Sequence, residues 1–349
     1  MKKFGVLLLL TTILIALAAC GQKTTGSSTS EGASTTTTSE ASTDQKSYTV
    51  AITQIVEHPS LDATREGFIA ALKDAGIEEG KNLKLDYNNA QGDQTNNMSI
   101  AQKIAGQKND LVFAIATPSA QAVAGQVKET PIVFAAVTDP IDAKIVANLD
   151  QPGGNITGAS DTNPEATTKL VDFISTNFPN IKTVGLVINE GEPNAVVMGK
   201  KAEEEFAKKN IKLVKAAVTN TSEVKQAAES LVGRADAFYI TLDNMVVSGV
   251  DSIIKVANDK KIPFFSSDRD TVEKGAFATV GFKYFDHGYQ AGQMAVEILK
   301  NGKKPGEMKV MMQDKLDLIL NLKSAEAQGI TVTDDMKKAV QDQAKNMIQ

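Results

Sequence analysis

The residues of this chain that could do chemistry fall in short polar loops, each following a run of β-branched residues. Four lie in the first half: Glu57-His58-Pro59-Ser60, Ala90-Gln91-Gly92-Asp93, Thr117-Pro118-Ser119 and Thr138-Asp139-Pro140. Three more follow: Asn189-Glu190-Gly191-Glu192-Pro193-Asn194, Thr241-Leu242-Asp243-Asn244 and Ser267-Asp268-Arg269-Asp270. Thr117 suits a helix N-cap and Pro118 the first helical position, so the next backbone N–H groups stay free for an anion. Thr117 equally suits plain capping of its own helix, and both readings stand. Asp139 before Pro140 repeats the arrangement with an anionic cap and is expected to serve its own helix first. Asp243 has no evident helix to cap, so it either balances a ligand cation or stands as a solvated carboxylate. His58, at a strand end, is placed either to touch a ligand or to miss it. Asp268 and Asp270 flank Arg269, which favours a local charge network over acid–base chemistry.

An enzyme needs a constellation, and the sequence offers none of the usual ones. It has no G-x-S-x-G elbow, no G-x-G-x-x-G fingerprint and no phosphate-binding loop; Gly76-Ile77-Glu78-Glu79-Gly80-Lys81 only looks like one. The two histidines, His58 and His287, are far apart and form no metal-spaced pair. His287, one turn into a helical stripe, reads as structural or solvated. No enzymatic activity, no metal and no cofactor are expected.

These loops need a scaffold, and the pattern supplies one. Strands are expected at 48–56, 83–87, 110–116 and 131–137, alternating with helices at 61–75, 95–107 and 118–127. This order implies a parallel sheet with right-handed crossovers. A Gly-rich stretch, Pro152-Gly153-Gly154-Asn155-Ile156-Thr157-Gly158, interrupts the pattern, which then restarts. Strands follow at 183–188, 211–217, 237–242, 263–266 and 278–281, with helices at 165–177, 195–209, 223–231 and 246–259. The chain thus builds two α/β units in succession, with a helix at 285–300 and a C-terminal strand and helix from 309 left unassigned by the pattern. In open parallel sheets ligands collect at the carboxyl ends of strands, where the polar loops lie.

The first 19 residues read as a processing signal, with Lys2 and Lys3 before the uncharged, mostly apolar stretch 6–17. That stretch is too short to span a bilayer comfortably. It ends in Leu17-Ala18-Ala19-Cys20, the lipobox pattern of bacterial lipoproteins, so Cys20 is expected to carry a diacylglyceryl, palmitate-type anchor. Cys20 is the only cysteine, which excludes a disulfide framework and a thiolate metal site. Residues 20–47, rich in Ser and Thr, cannot bury enough apolar surface to order and read as a flexible tether. Removing the signal takes the formal charge from −5 to −7, a sign that disfavours nucleic acid. The remaining 300 or so residues suggest two domains.

The motifs together resemble the substrate-binding lipoproteins of ABC importers for aromatic or other hydrophobic amino acids, the tryptophan- and tyrosine-binding kind. The resemblance rests on His58-Pro59-Ser60-Leu61-Asp62, Asn89-Ala90-Gln91-Gly92-Asp93, Ala116-Thr117-Pro118-Ser119-Ala120-Gln121, Val137-Thr138-Asp139-Pro140 and 152–158. It continues through Gly191-Glu192-Pro193-Asn194, Leu242-Asp243-Asn244, Ser267-Asp268-Arg269 and Asn321-Leu322-Lys323. It implies an α/β, two-lobed periplasmic-binding-protein type I fold, each lobe a parallel sheet flanked by helices, with three interlobe crossovers. Lobe 1 would hold 48–160 and about 283–312, and lobe 2 would hold 161–282 and about 313–349. Asp161-Thr162-Asn163 would sit at a hinge.

The resemblance further implies that Thr117, Ser119 and Ala120 hold a ligand carboxylate, and that Asn194 and Asp243 make polar or ammonium contacts. His58, Gln91, Asp139 and Asp268 complete the candidate ligand residues. A zwitterion needs an N–H-rich end and an anionic end, which agrees with the charges of the loops. Two departures, Ala195 after Asn194 and Thr241-Leu242 before Asp243, remove a hydroxyl and alter the pocket, so the particular amino acid stays open. The expected partners are a hydrophobic or aromatic amino acid, the membrane subunits of an ABC permease and the membrane itself through the lipid. The chain is expected to act as an extracytoplasmic, lipid-anchored monomer. A surface lipoprotein that senses or presents a ligand without transport is the alternative.

Overall fold

The structure, a computed structural model, describes residues 46–349. The expected signal segment and Cys20 lie outside the described residues, as does the expected tether except Lys46 and Ser47. The first half runs β1 (Tyr48–Gln54), α1 (Pro59–Asp74), β2 (Leu83–Asn89), α2 (Gln94–Ala105), β3 (Leu111–Ile115), α3 (Thr117–Gln126), β4 (Ile132–Val137) and β5 (Ile156–Ser160). β3 and β4 are buried at every position, as parallel strands covered on both faces must be. β5 is the strand that the Gly-rich stretch concealed. Gly158 is required there, because a Cβ would lie 2.2 Å from the Phe134 carbonyl oxygen on β4.

The second half runs α4 (Pro164–Asn177), β6 (Thr183–Ile188), α5 (Pro193–Lys208), β7 (Lys212–Ala217), α6 (Val224–Leu231), β8 (Ala237–Ile240), α7 (Asn244–Ser248), α8 (Val250–Lys260), β9 (Phe264–Ser266), α9 (Arg269–Lys274) and β10 (Ala278–Gly281). The single helix expected at 246–259 is therefore two, broken at Gly249. The chain continues through α10 (Tyr284–Asn301), β11 (Met311–Met312), β12 (Asp317–Asn321), α11 (Leu322–Ala327), α12 (Asp334–Lys338), α13 (Gln343–Asn346) and β13 (Met347–Ile348).

Two sheets result, ordered β11-β5-β4-β3-β1-β2 and β13-β12-β10-β9-β8-β6-β7. The first is parallel throughout. The second is mixed rather than parallel, because β12 enters antiparallel to β10. The chain passes between the two lobes at 161–163, 282–283 and 313–316. Among the described residues no helix is long and apolar enough to cross a membrane.

Helix α10 returns to the first lobe and lies against α1 with almost no space between backbones. A Cβ on Gly67 would meet the Phe285 carbonyl oxygen at 2.0 Å, and one on Gly288 would meet the Thr64 carbonyl oxygen at 1.9 Å. Below them Phe68 stacks on Phe113 with ring centroids 3.8 Å apart. This contact fixes the head of α1, and with it His58 and Ser60, relative to the first sheet.

The crossovers are tied to one another. Tyr284 donates its hydroxyl to Asp161 at 3.1 Å, joining the first two. His287 accepts the Ala136 N–H at Nε2, 3.0 Å, and meets the Gln313 amide at Nδ1, 3.0 Å, reaching the third. The structural role expected for His287 is therefore a hinge brace. Its burial pushes the imidazole down to about 4, while burial pushes Asp161 up to about 6.

Candidate ligand cleft between the lobes

The sharpest feature lies at the head of α3. Thr117 is not the N-cap; Ala116 is, in a left-handed conformation at φ 77° and with no side chain that can cap. Such a backbone costs roughly 1 to 3 kcal/mol and persists where the surroundings impose it. The Thr117 hydroxyl instead accepts the Thr138 N–H, 3.4 Å away. The N–H groups of Thr117 and Ser119 consequently find no acceptor among the described residues, although both residues are buried. A helix end buried without partners from its own chain leaves room for water or a ligand, and the dipole there favours an anion.

Ser119 and Ala120 contribute differently from expectation. The Ser119 hydroxyl donates to Asn97 Oδ1, 3.3 Å, and Asn97 donates in turn to the Pro118 carbonyl, 2.9 Å, so that side chain braces the loop. The Ala120 N–H already donates to the Ala116 carbonyl, 3.0 Å, which leaves it nothing for a carboxylate. Thr117 and Ser119 carry the free amides.

Across the cleft, α5 of the second lobe approaches α3. Asn194, one residue into α5, donates its amide to Glu192 at 3.1 Å and to the Leu242 carbonyl at 2.7 Å, leaving its buried Oδ1 without a partner. Asp243 is fully buried rather than solvated, and it does have a helix to cap: its Oδ1 accepts the Val246 N–H, 3.0 Å, at the start of α7. Its Oδ2 accepts the Asn189 N–H at 2.5 Å. Burial, and after it the charge of Glu192, push the Asp243 carboxyl well above its usual range. A cation entering beside these acids would reverse that penalty.

The sequence placed Glu192 in a polar loop but gave it no role; it is 4% exposed and accepts from Asn194, from both nitrogens of Asn244 and from the Met245 N–H. Its place before Pro193 signals a helix cap, yet its side chain reaches a loop some fifty residues away. Asn244 and Ser60 likewise stood in polar loops without a role of their own.

The remaining candidates separate. His58 joins the buried group, its Nε2 meeting Asn244 Oδ1 of the other lobe at 3.4 Å, with Nδ1 unpartnered. Burial lowers its pKa below the ordinary value. Asp268 caps α9 through the Thr271 N–H, 2.7 Å, and accepts the Ser60 hydroxyl from the first lobe, 3.1 Å; it fastens the lobes. The expected charge network around Arg269 is looser than its spacing suggests, because Arg269 turns away to Glu273 and to Asn346. Asp270 is left with one unpartnered oxygen, and burial first, then Asp268, push it up to about 7. Asp139 has no helix to cap: it closes its own turn by accepting the Ile141 and Asp142 N–H groups. Gln91 is exposed in a left-handed turn, its N–H held by Asn89, outside the buried group.

Beside Leu242 lies a cavity of about 20 Å³, walled by Leu170, Met198, Leu242 and Phe282 with Asp161 at its edge. Among the described residues, no three His, Cys, Asp or Glu side chains gather as a metal site.

The family model for ABC transporter substrate binding proteins matches residues 49–344. The chain belongs to that family. It is 38% identical to the tyrosine-binding protein of Clostridioides difficile over 87% of this chain and 88% of that one. A Streptococcus pneumoniae ABC domain in complex with L-Trp is 31% identical, with a TM-score of 0.80 over 85% of this chain and 99% of that one. The ligand-free, open structure of a Clostridium difficile substrate-binding protein with adhesive properties is 38% identical, over 86% of this chain and 98% of that one. Its TM-score is only 0.62. The family member resembles the complex more than the open form despite lower identity. The Ser60–Asp268 and His58–Asn244 contacts between lobes say the same: this is a closed cleft.

Proposed function

We propose that this substrate-binding protein captures an aromatic L-amino acid between its lobes and hands it to an ABC permease from a lipid-anchored position outside the cytoplasm. The observation that carries the reading is the uncapped head of α3, buried and rich in free N–H groups, facing an acid-rich end at Asn194, Glu192 and Asp243. That pair of ends complements a zwitterion. The ligand carboxylate would take the Thr117 and Ser119 amides, and the ammonium would take Asn194 with the charge of Asp243 behind it. Support for an aromatic side chain comes from the tyrosine-binding relative and the L-Trp complex, and from the apolar walls at Met198, Leu242 and Phe282. Entry into so enclosed a cleft requires the lobes to part about the three crossovers and close again around the ligand. The lipid anchor at Cys20 rests on Leu17-Ala18-Ala19-Cys20 alone.

Calorimetric titration of the purified protein against the common L-amino acids tests the reading. Saturable binding confined to aromatic and large apolar members is expected, and absence of any saturable binding would falsify it. The relative with adhesive properties favours a second role, attachment to a surface. A deletion strain that takes up aromatic amino acids normally but attaches poorly would select that role over transport.

A further inference from the structure

Glu192 stands at the head of α5 yet makes no capping bond to it. Its Oε2 accepts from Asn194 Nδ2 (3.1 Å), Asn244 N (3.2 Å) and Asn244 Nδ2 (2.6 Å), and its Oε1 accepts from Met245 N (3.0 Å). An acceptor-only group dictates which end of an amide may face it, so both asparagines must turn their nitrogens inward. Asn194 spends its other hydrogen on the Leu242 carbonyl, and only Oδ1 remains.

The same constraint passes to the opposite lobe. With its nitrogen held by Glu192, Asn244 turns Oδ1 toward His58 Nε2. A carbonyl oxygen accepts, so Nε2 must carry the ring hydrogen. Burial disfavours the charged imidazole, and the neutral ring then has its lone pair at Nδ1. Among the buried atoms left without partners, Asn194 Oδ1 and His58 Nδ1 are thus both acceptors, one from each lobe.

We infer that Glu192 sets the hydrogen-bond polarity of the cleft, locking two amides so that each lobe offers a buried acceptor to the ligand's primary ammonium group. The inference rests on the amino-acid reading above and deepens it. An ammonium has three donors and no acceptor, and satisfies both atoms. A hydroxyl in its place has one donor and leaves one atom orphaned, a loss worth about tenfold or more. Glu192 is a positioning residue, which acts through Asn194, Asn244 and His58.

The test is calorimetry on the full chain with L-tryptophan, L-tyrosine and their 2-hydroxy acids, indole-3-lactate and 4-hydroxyphenyllactate. The wild type is expected to prefer the amine by about 100-fold. Glu192→Gln places N–H groups against the donors it now receives and frees the amides. Amine affinity should fall by about 10- to 100-fold while hydroxy-acid affinity moves by less than about threefold, so that the preference collapses. Asn194→Ala, which removes one acceptor directly, should show the same selective loss and decides the matter if Glu192→Gln folds poorly. Equal loss for both ligand classes, or a preference retained in these variants, overturns the assignment. A wild type that binds neither aromatic amino acid overturns the amino-acid reading and this inference with it.

Discussion

Ser60, at the head of α1, donates its hydroxyl to Asp268, at the head of α9, across 3.1 Å between the two lobes. Asp268 keeps its bonds to the Thr271 N–H and hydroxyl without Ser60. Ser60→Ala should therefore leave folding stability nearly unchanged and weaken only the closed state. A hydrogen bond to a charged group is worth about 1.5 to 3 kcal/mol, so ligand affinity should fall by roughly 10- to 100-fold. The rise should appear in the dissociation rate, and scattering should show a more open ligand-free population. Unchanged affinity would place closure elsewhere.

Asp243 couples ligand capture to protons. Its carboxyl lies well above the ordinary range through burial and then Glu192, and an ammonium beside it favours the ionised form. Binding should expel a proton, affinity should rise with pH until Asp243 is ionised in the free protein, and then it should level off. Measured enthalpies should vary with the ionisation enthalpy of the buffer in the wild type and not in Asp243→Asn. Equal enthalpies in all buffers would remove Asp243 from the ammonium site.

The hinge brace makes stability depend on pH in two opposed ways. His287 sits at about 4 against an ordinary 6.5, so the unfolded chain takes up its proton first as pH falls. Its contribution is complete above 6.5 and is lost on descent to 4, by about 3 kcal/mol at roughly 1.4 kcal/mol per unit. Asp161 is raised from 3.8 to about 6, and its contribution is complete below 3.8 and lost on ascent to 6. The two nearly cancel between them. His287→Gln should remove the acid-side loss, so its urea stability should gain on the wild type by about 3 kcal/mol between pH 7 and 4. Parallel curves for the two proteins would contradict this.

Close packing of α1 on α10 allows no side chain at Gly288, where the nearest atom is backbone. Gly288→Ala should cost about 3 kcal/mol or more, at the upper end of overpacking effects. Gly125, in α3 with nothing within 4 Å, is the contrast: Gly125→Ala should gain up to about 1 kcal/mol. Denaturant unfolding of both variants distinguishes this contact from a general intolerance to change.

Much of this architecture was legible because strand and helix periodicities are local properties. The alternation through β1 to β4 and α1 to α3 follows from residue type alone. β5 hid in Pro152–Gly158 because its Gly158 answers a contact with Phe134, which no local pattern reveals. The break at Gly249 hid because one glycine inside a helical stripe is tolerated. Ala116 as cap could not be read, since nothing in its residue type announces a positive φ. The role of Glu192 was hidden for a different reason: its partners at 244 and 245 become neighbours only when β6 and β8 pair.

The most direct test of the cleft uses a property of the composition. The chain contains no tryptophan, so the emission of added L-tryptophan reports its own environment without protein tryptophan background. Titration should show saturable binding of one L-tryptophan per chain, displaced by L-tyrosine and left in place by tyramine, which lacks the carboxylate that the head of α3 requires. Displacement by tyramine as effective as by L-tyrosine, or no saturable binding of any aromatic amino acid, would contradict the account.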